Sequence, residues 1–141
     1  MRKLQNIELN RISVDEFKNC QKIPVAVVLD NIRSQHNIGS VFRTSDAFLI
    51  YKIYLCGITA TPPNNEIHKS ALGAENTVSW EYHADTIFIV SELKQQGYQL
   101  IAIEQVSNSV FLQEFQPYPT QRYALIFGNE VKGVDQAVID V

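Results

Sequence analysis

Five consecutive apolar residues, Val25-Ala-Val-Val-Leu29, constrain this chain more than any other stretch. A strand that faces water on one side alternates polar and apolar residues. An unbroken run fits a strand covered on both faces, the normal state in a parallel sheet. Tyr123–Phe127 is read as another strand. Each of these runs gives way to a polar stretch that contains glycine. The stretches are Asn37-Ile-Gly-Ser-Val-Phe-Arg-Thr44 and Phe127-Gly-Asn-Glu-Val-Lys-Gly133. Ligands of open α/β sheets sit just past the carboxyl ends of strands. Two such segments in one small domain therefore suggest a single composite site.

The intervening sequence supports a mainly parallel α/β sheet with helices on both faces. Ile38, Val41, Phe42, Ser45, Phe48 and Leu49 recur at helical spacing, which predicts a helix over 38–49 after a polar loop at 30–36. Ile53–Cys56 reads as a second strand, and Pro62-Pro63 breaks the chain after it. A short helix is expected over 67–72, closed by Gly73. Val78–Tyr82 reads as a third strand. A helix over 84–96 is expected to stop before Gly97, with a fourth strand over 98–103. Residues 107–119 read as irregular, with Phe111, Leu112 and Phe115 packing back on the body. A last helix is expected from Val134. Residues 1–22 read as an N-terminal arm with Leu4, Ile7 and Ile12 as its apolar positions, and 23–141 as the domain.

A chain of 141 residues is one domain by length and long enough to bury a substantial core. The longest apolar stretch, around Ile23–Leu29, is far short of a membrane span. Met1-Arg-Lys-Leu-Gln5 carries charge but no apolar h-region, so no signal peptide is read there. Cys20 and Cys56 stand alone, as expected for buried small side chains in a reducing cytoplasm. His36, His68 and His83 have no ligand spacing, so no metal is expected. The net charge of −3 hides an asymmetry. Residues 1–43 hold seven Lys/Arg against four Asp/Glu, and the remainder five against eleven. Arg2, Lys3, Arg11, Lys18, Lys22 and Arg33 are the candidate phosphate contacts of the basic part.

In the first segment, a glycine at position 39 near a helix start would let backbone N–H groups approach an anion closely. Arg43, one turn later, could hold a phosphate with two N–H groups. Asn37 could cap the helix or contact substrate, and the two roles are compatible. In the second segment, a side chain at position 128 would obstruct a ligand lying across the strand end. Glu130 could accept hydrogen bonds from a ribose or orient Arg43. Gly133 marks either a turn or a helix start. The pair Gly128/Gly133 has P-loop spacing, but Val134-Asp135 stands where Lys-Ser/Thr is required, which excludes that chemistry.

Asn37, Gly39 and Arg43 match N-x-G-x-x-x-R, and Phe127, Gly128, Asn129, Glu130 and Gly133 match F-G-N/P-E-x-x-G. In this order and separation the segments resemble motifs 1 and 2 of the SpoU (TrmH-like) branch of the SPOUT RNA methyltransferases, from about Val25 onward. The resemblance implies an α/β-knot fold, with S-adenosylmethionine as methyl donor and a ribose 2′-hydroxyl of tRNA or rRNA as acceptor. It implies that Arg43, Asn37 and Glu130 are catalytic. Ile103, Glu104, Phe127 and Gly128 are expected to surround the cofactor, and Arg33, Gly39, Arg43 and Lys69 to meet RNA. The stretch His68-Lys-Ser-Ala-Leu-Gly73 also resembles a family loop, and faces either RNA or solvent. A cytoplasmic homodimer, paired through the C-terminal knot region, is expected as well. The family pattern continues into a third motif containing Ser-Leu-Asn, which is not reached by Val141, so a missing knot segment is expected. The competing reading is a non-catalytic RNA-binding or dimerisation module derived from a methyltransferase.

Overall fold

The computed structural model describes residues 1–141, apart from the side chain of Asn6. Its centre is a five-stranded parallel sheet of β1 (Ile23–Asp30), β2 (Ile50–Cys56), β3 (Trp80–His83), β4 (Tyr98–Ala102) and β5 (Arg122–Phe127). The order across the sheet is β3-β2-β1-β5-β4. β1 and β5 are neighbours, with Val27 opposite Leu125 and Leu29 opposite Phe127. Both expected runs are therefore central strands, as continuous burial requires. The alternation of their residues decides which layer each one feeds. Val27 and Leu29 join Ile53 and Leu55 under one set of helices, while Ala26 and Val28 join Tyr54, Cys56, Ala124 and Ile126 under the other.

The first layer holds α1 (Val14–Asn19), α2 (Gln35–Ala47), α3 (Asn65–Ala71) and α4 (Ala74–Thr77). The second holds α5 (Thr86–Gln95) and α6 (Gln136–Ile139). Several boundaries differ from expectation. Residues 1–22 contain a 3₁₀ turn at Asn6–Leu9 and helix α1, and Phe17 of α1 is buried in the core. The missed signal is local: Ser13 and Glu16 form a reciprocal capping box that starts α1. Helix α2 begins three residues early, because Ser34 caps it by accepting from the Asn37 amide at 3.2 Å. Asn37 is thus inside the helix and is not its cap.

Helix α3 ends at Ala71 and is capped by Leu72, which takes a left-handed φ of 54° ahead of Gly73 at 95°, and the unexpected α4 follows at once. Helix α6 is delayed to Gln136, because Val134 and Asp135 belong to the turn that Gly133 (φ 73°) sets up. Phe115 packs edge-on against Tyr123 as expected, but Phe111 and Leu112 remain exposed. Trp80 of β3 is partly buried and packs against the first core layer, while Tyr82 is exposed.

Candidate active site

The crossovers from β1 and β5 leave the sheet on opposite faces, α2 on one and α6 on the other. Between two such strands the loops part, and a crevice opens at their carboxyl ends. It is a cleft of about 740 Å³ whose lining includes Asp30, Asn31, Arg33, Ile58, Val131 and Lys132.

The floor is built by side chains that bind backbone. Asp30, 1% exposed, ends β1. Its Oδ1 accepts from Asn31 Nδ2 (2.9 Å) and Thr86 Oγ1 (2.6 Å), and its Oδ2 accepts from the Asp135 amide (3.0 Å). One carboxylate thus ties together the ends of β1, α5 and the loop before α6. Asn31 takes φ 55°, and its Oδ1 accepts from the Ile58 amide at 3.1 Å. Asn129 Nδ2 donates to the Asn31 carbonyl at 2.8 Å, while its Oδ1 accepts from the Val131 and Lys132 amides at 3.0 and 3.1 Å. Thr59 Oγ1 accepts from the Ile32 amide at 3.0 Å and donates to the Leu29 carbonyl at 3.2 Å. Asp30, Asn31, Ser34 and Thr59 were not singled out in the sequence. An Asp-Asn pair closing an apolar strand was the available signal.

Glu130 joins the two segments. Its carboxylate accepts from the amides of Arg33 (3.2 Å) and Ser34 (3.0 Å) and from Asn37 Nδ2 (3.2 Å). Partial burial works against its charge. The amides of Glu130 itself, Ser34 and Arg33, with the Asn37 side chain, outweigh that and hold the carboxyl below the usual carboxylate range. Segments 93 positions apart therefore meet through a charge-assisted network. Among its hydrogen bonds Glu130 orients Asn37, not Arg43 as one expectation had it.

Arg43 lies on the exposed part of α2, six residues beyond Asn37, and does not line the cleft. Among the described residues it makes no ion pair, which leaves the guanidinium available. Gly39 has a different reason to be glycine than the one expected. It is the fifth residue of α2 and is buried. A Cβ there would lie 2.1 Å from Ser70 Oγ and 2.3 Å from the Ile67 carbonyl oxygen. The close crossing of α2 and α3, not access for an anion, requires it.

Gly128 is similarly filled by the protein itself, since a Cβ would lie 2.0 Å from the Val134 nitrogen. Glu104 Oε2 accepts from the Val134 amide at 2.9 Å and Oε1 from Gln105 at 2.8 Å, and these bonds lower its carboxyl pKa. A Cβ on Gly133 would collide with that carboxylate. Ile103 is 45% exposed, and Phe127, half-buried, lines an apolar groove between α2 and β5 with Val25, Val41 and Leu125.

The other cations divide. Arg33 is exposed at the cleft, and no acidic side chain pairs with it among the described residues. Lys69 is paired with Glu66 at 2.6 Å on the surface. Arg2 pairs with Glu8 at 2.6 Å, and Lys22 folds over the Phe17 ring at 4.3 Å and donates to the Phe17 and Cys20 carbonyls. Among the described residues no group of three His, Cys, Asp or Glu could hold a metal, and no helix is long and apolar enough to cross a membrane.

This arrangement has solved counterparts. The TrmH/SpoU tRNA modifying enzyme of A. aeolicus superposes with a TM-score of 0.76 at 23% identity, over 91% of this chain and 64% of that one, a likeness of fold. An AdoMet-bound rRNA methyltransferase from Sinorhizobium meliloti gives a TM-score of 0.75 at 25% identity, over 88% and 47%. In sequence, the chain is 27% identical to the 23S rRNA (guanosine-2′-O-)-methyltransferase RlmB of Neisseria meningitidis over 95 residues, 67% of this chain and 38% of that protein. It is 25% identical to the tRNA (guanosine(18)-2′-O)-methyltransferase of Escherichia coli K12 over 118 residues, 82% and 48%. The chain thus spans about half or less of the length of the two proteins it matches in sequence. The sequence profile of one family matches residues 24–141, which takes in all five strands of the sheet save the first residue of β1. With both motifs brought together on that family's fold, the chain belongs to the SpoU rRNA Methylase family.

Proposed function

We propose that this domain transfers a methyl group from S-adenosylmethionine to a ribose 2′-hydroxyl of tRNA or rRNA. The observation that carries the reading is the grip of Glu130 on Asn37 and on the amides of Arg33 and Ser34. It presents an ordered polar surface at the head of α2, with the free guanidinium of Arg43 on the same helix.

The residues at the ends of β4 and β5 fit the methyl donor in part. Exposed Ile103 and half-buried Phe127 offer apolar surface suited to a purine face. The Glu104 side chain is committed to two amides, and the space beside Gly128 is occupied by the 133–134 backbone. Cofactor contacts from Glu104 and Gly128 would therefore come from backbone groups. S-adenosylmethionine supplies an electrophilic methyl carbon when bound.

The chain's own residues align the acceptor. Arginine stays protonated, so Arg43 is not a base. It holds the phosphate next to the reacting ribose and stabilises charge growing on the 2′-oxygen. The proton leaves to a phosphate oxygen or water. Asn37, fixed by Glu130, positions the ribose, and alignment of this kind can lower a barrier by about 7 kcal/mol. Arg33 and Lys69 add phosphate contacts, Lys69 at the modest cost of releasing an exposed ion pair. Family resemblance supports a cytoplasmic homodimer, which sedimentation checks.

Arg43→Lys is the test of mechanism. It keeps the charge and loses the two-pronged grip, so methyl transfer to a tRNA or rRNA pool should fall at least tenfold. Full turnover by the lysine variant would refute the role. Calorimetry that finds no S-adenosylmethionine binding would refute the enzymatic reading.

A further inference from the structure

The cleft at the ends of β1 and β5 has a character of its own. Its floor is polar and saturated by the bonds of Asp30, which is buried, and Asn129, which is half-buried. Its rim is not. Ile58, 65% exposed, comes from the loop after β2, and Val131, 81% exposed, from the loop after β5. Both aliphatic side chains sit on anchored backbone. The Ile58 amide donates to Asn31 Oδ1, and the Val131 amide to Asn129 Oδ1. Two cations, Arg33 and Lys132, stand at the same cleft without an acidic partner among the described residues. Rigid aliphatic surface suits the faces of a flat ring, and free cations beside it suit a phosphate.

We propose that this cleft takes one unstacked nucleotide of the RNA substrate, its base against Ile58 and Val131 and its phosphate on Arg33 and Lys132. The proposal rests on the reading of the chain as an RNA methyltransferase. It adds a site for a nucleotide next to the head of α2, where the neighbouring ribose would meet Asn37. Sequence-specific RNA recognition usually takes bases that are splayed out of the stack, and such a base needs a receptacle. The methyl donor is the poorer occupant, because it offers Arg33 and Lys132 a single carboxylate while also bringing a sulfonium and an ammonium beside them, whereas a nucleotide brings only a phosphate anion.

Guanosine 5′-monophosphate, guanosine and S-adenosylmethionine, titrated separately into the chain and followed by backbone amide NMR, decide the matter. The monophosphate should shift the amides of Asn31, Ile58, Val131 and Lys132 saturably, and guanosine should bind about tenfold more weakly. Ile58→Ser with Val131→Ser, both at exposed positions, should weaken the monophosphate at least fivefold while the rest of the spectrum stays native. Lys132→Gln should weaken it without affecting guanosine. The proposal is overturned if those amides do not move, if the double serine variant binds equally well, or if S-adenosylmethionine moves them at lower concentration than the nucleotide. Failure of the wild type to methylate RNA would sink the enzymatic reading and leave this titration decisive. Methylation without nucleotide shifts in the cleft would sink only the cleft.

Discussion

Replacing Gly39 by alanine sets two physical effects against each other. On intrinsic propensity alone, alanine in the middle of α2 should stabilise the helix by about 1 kcal/mol. The added methyl, however, would lie 2.3 Å from the Ile67 carbonyl oxygen and 2.9 Å from the Ala71 nitrogen, both backbone atoms of α3. Restoring ordinary contact requires α2 and α3 to part by roughly 1 Å, and overpacking of this kind costs about 1–3 kcal/mol. Since α3 is also held to α2 by the Ser70 hydroxyl, which donates to the His36 carbonyl at 2.9 Å, separation strains that bond as well. The expected net effect is a loss of up to about 2 kcal/mol, or up to about 6 °C in Tm for a domain of this size. Urea and thermal unfolding of the purified chain measure it. Ser70→Ala removes the hydroxyl at 2.1 Å but not the backbone contacts, so it should rescue Gly39→Ala only in part. A Gly39→Ala variant more stable than wild type would refute the packing argument. It would restore the alternative in which glycine serves a ligand.

Asp30→Asn replaces an acceptor that serves three donors, two of them on other elements, and should cost about 2–3 kcal/mol in urea unfolding. Because the folded-state pKa of Glu130 lies below the ordinary value, its contribution to stability is present above the unfolded pKa of about 4.3 and disappears as pH falls through the lower folded value. Glu130→Gln should therefore flatten the acid limb of a Tm–pH profile below about pH 5, and an unchanged limb would contradict the network. Burial pushes the Cys56 thiol up to about 12, so it stays protonated and shielded, whereas Cys20 is only half-buried. A thiol reagent should accordingly titrate one cysteine in the native protein and both after unfolding.

What could be read from residue order was whatever depends on neighbours along the chain. The apolar run Val25–Leu29, the periodicity of α2 and the two polar segments all have short-range signatures, and they gave the parallel sheet and the pair of loops that meet. What could not be read was set across space. The glycine at 39 answers to Ser70 and Ile67 on another helix, and Gly128 to the turn at 133–134. Asp30 looked like the first residue of a loop, although it binds elements 56 and 105 positions away. Phe111 and Leu112 show the converse. Their hydrophobicity suggested burial, but the 3₁₀ turn at Leu112–Glu114 leaves both in solvent.

The strand order has a kinetic corollary. β4 touches the sheet only through β5, although it precedes β5 in the chain by some twenty residues. During synthesis the half made of β1, β2 and β3 can zip up as it emerges, with α5 docking on β1 and β2, while β4 must wait, unpaired, until β5 arrives to wedge between β4 and β1. Since Glu130 follows β5, the bonds that join the two segments cannot form before that strand is in place: nascent chains lacking β5 should leave the head of α2 unanchored, and its order should appear in one step.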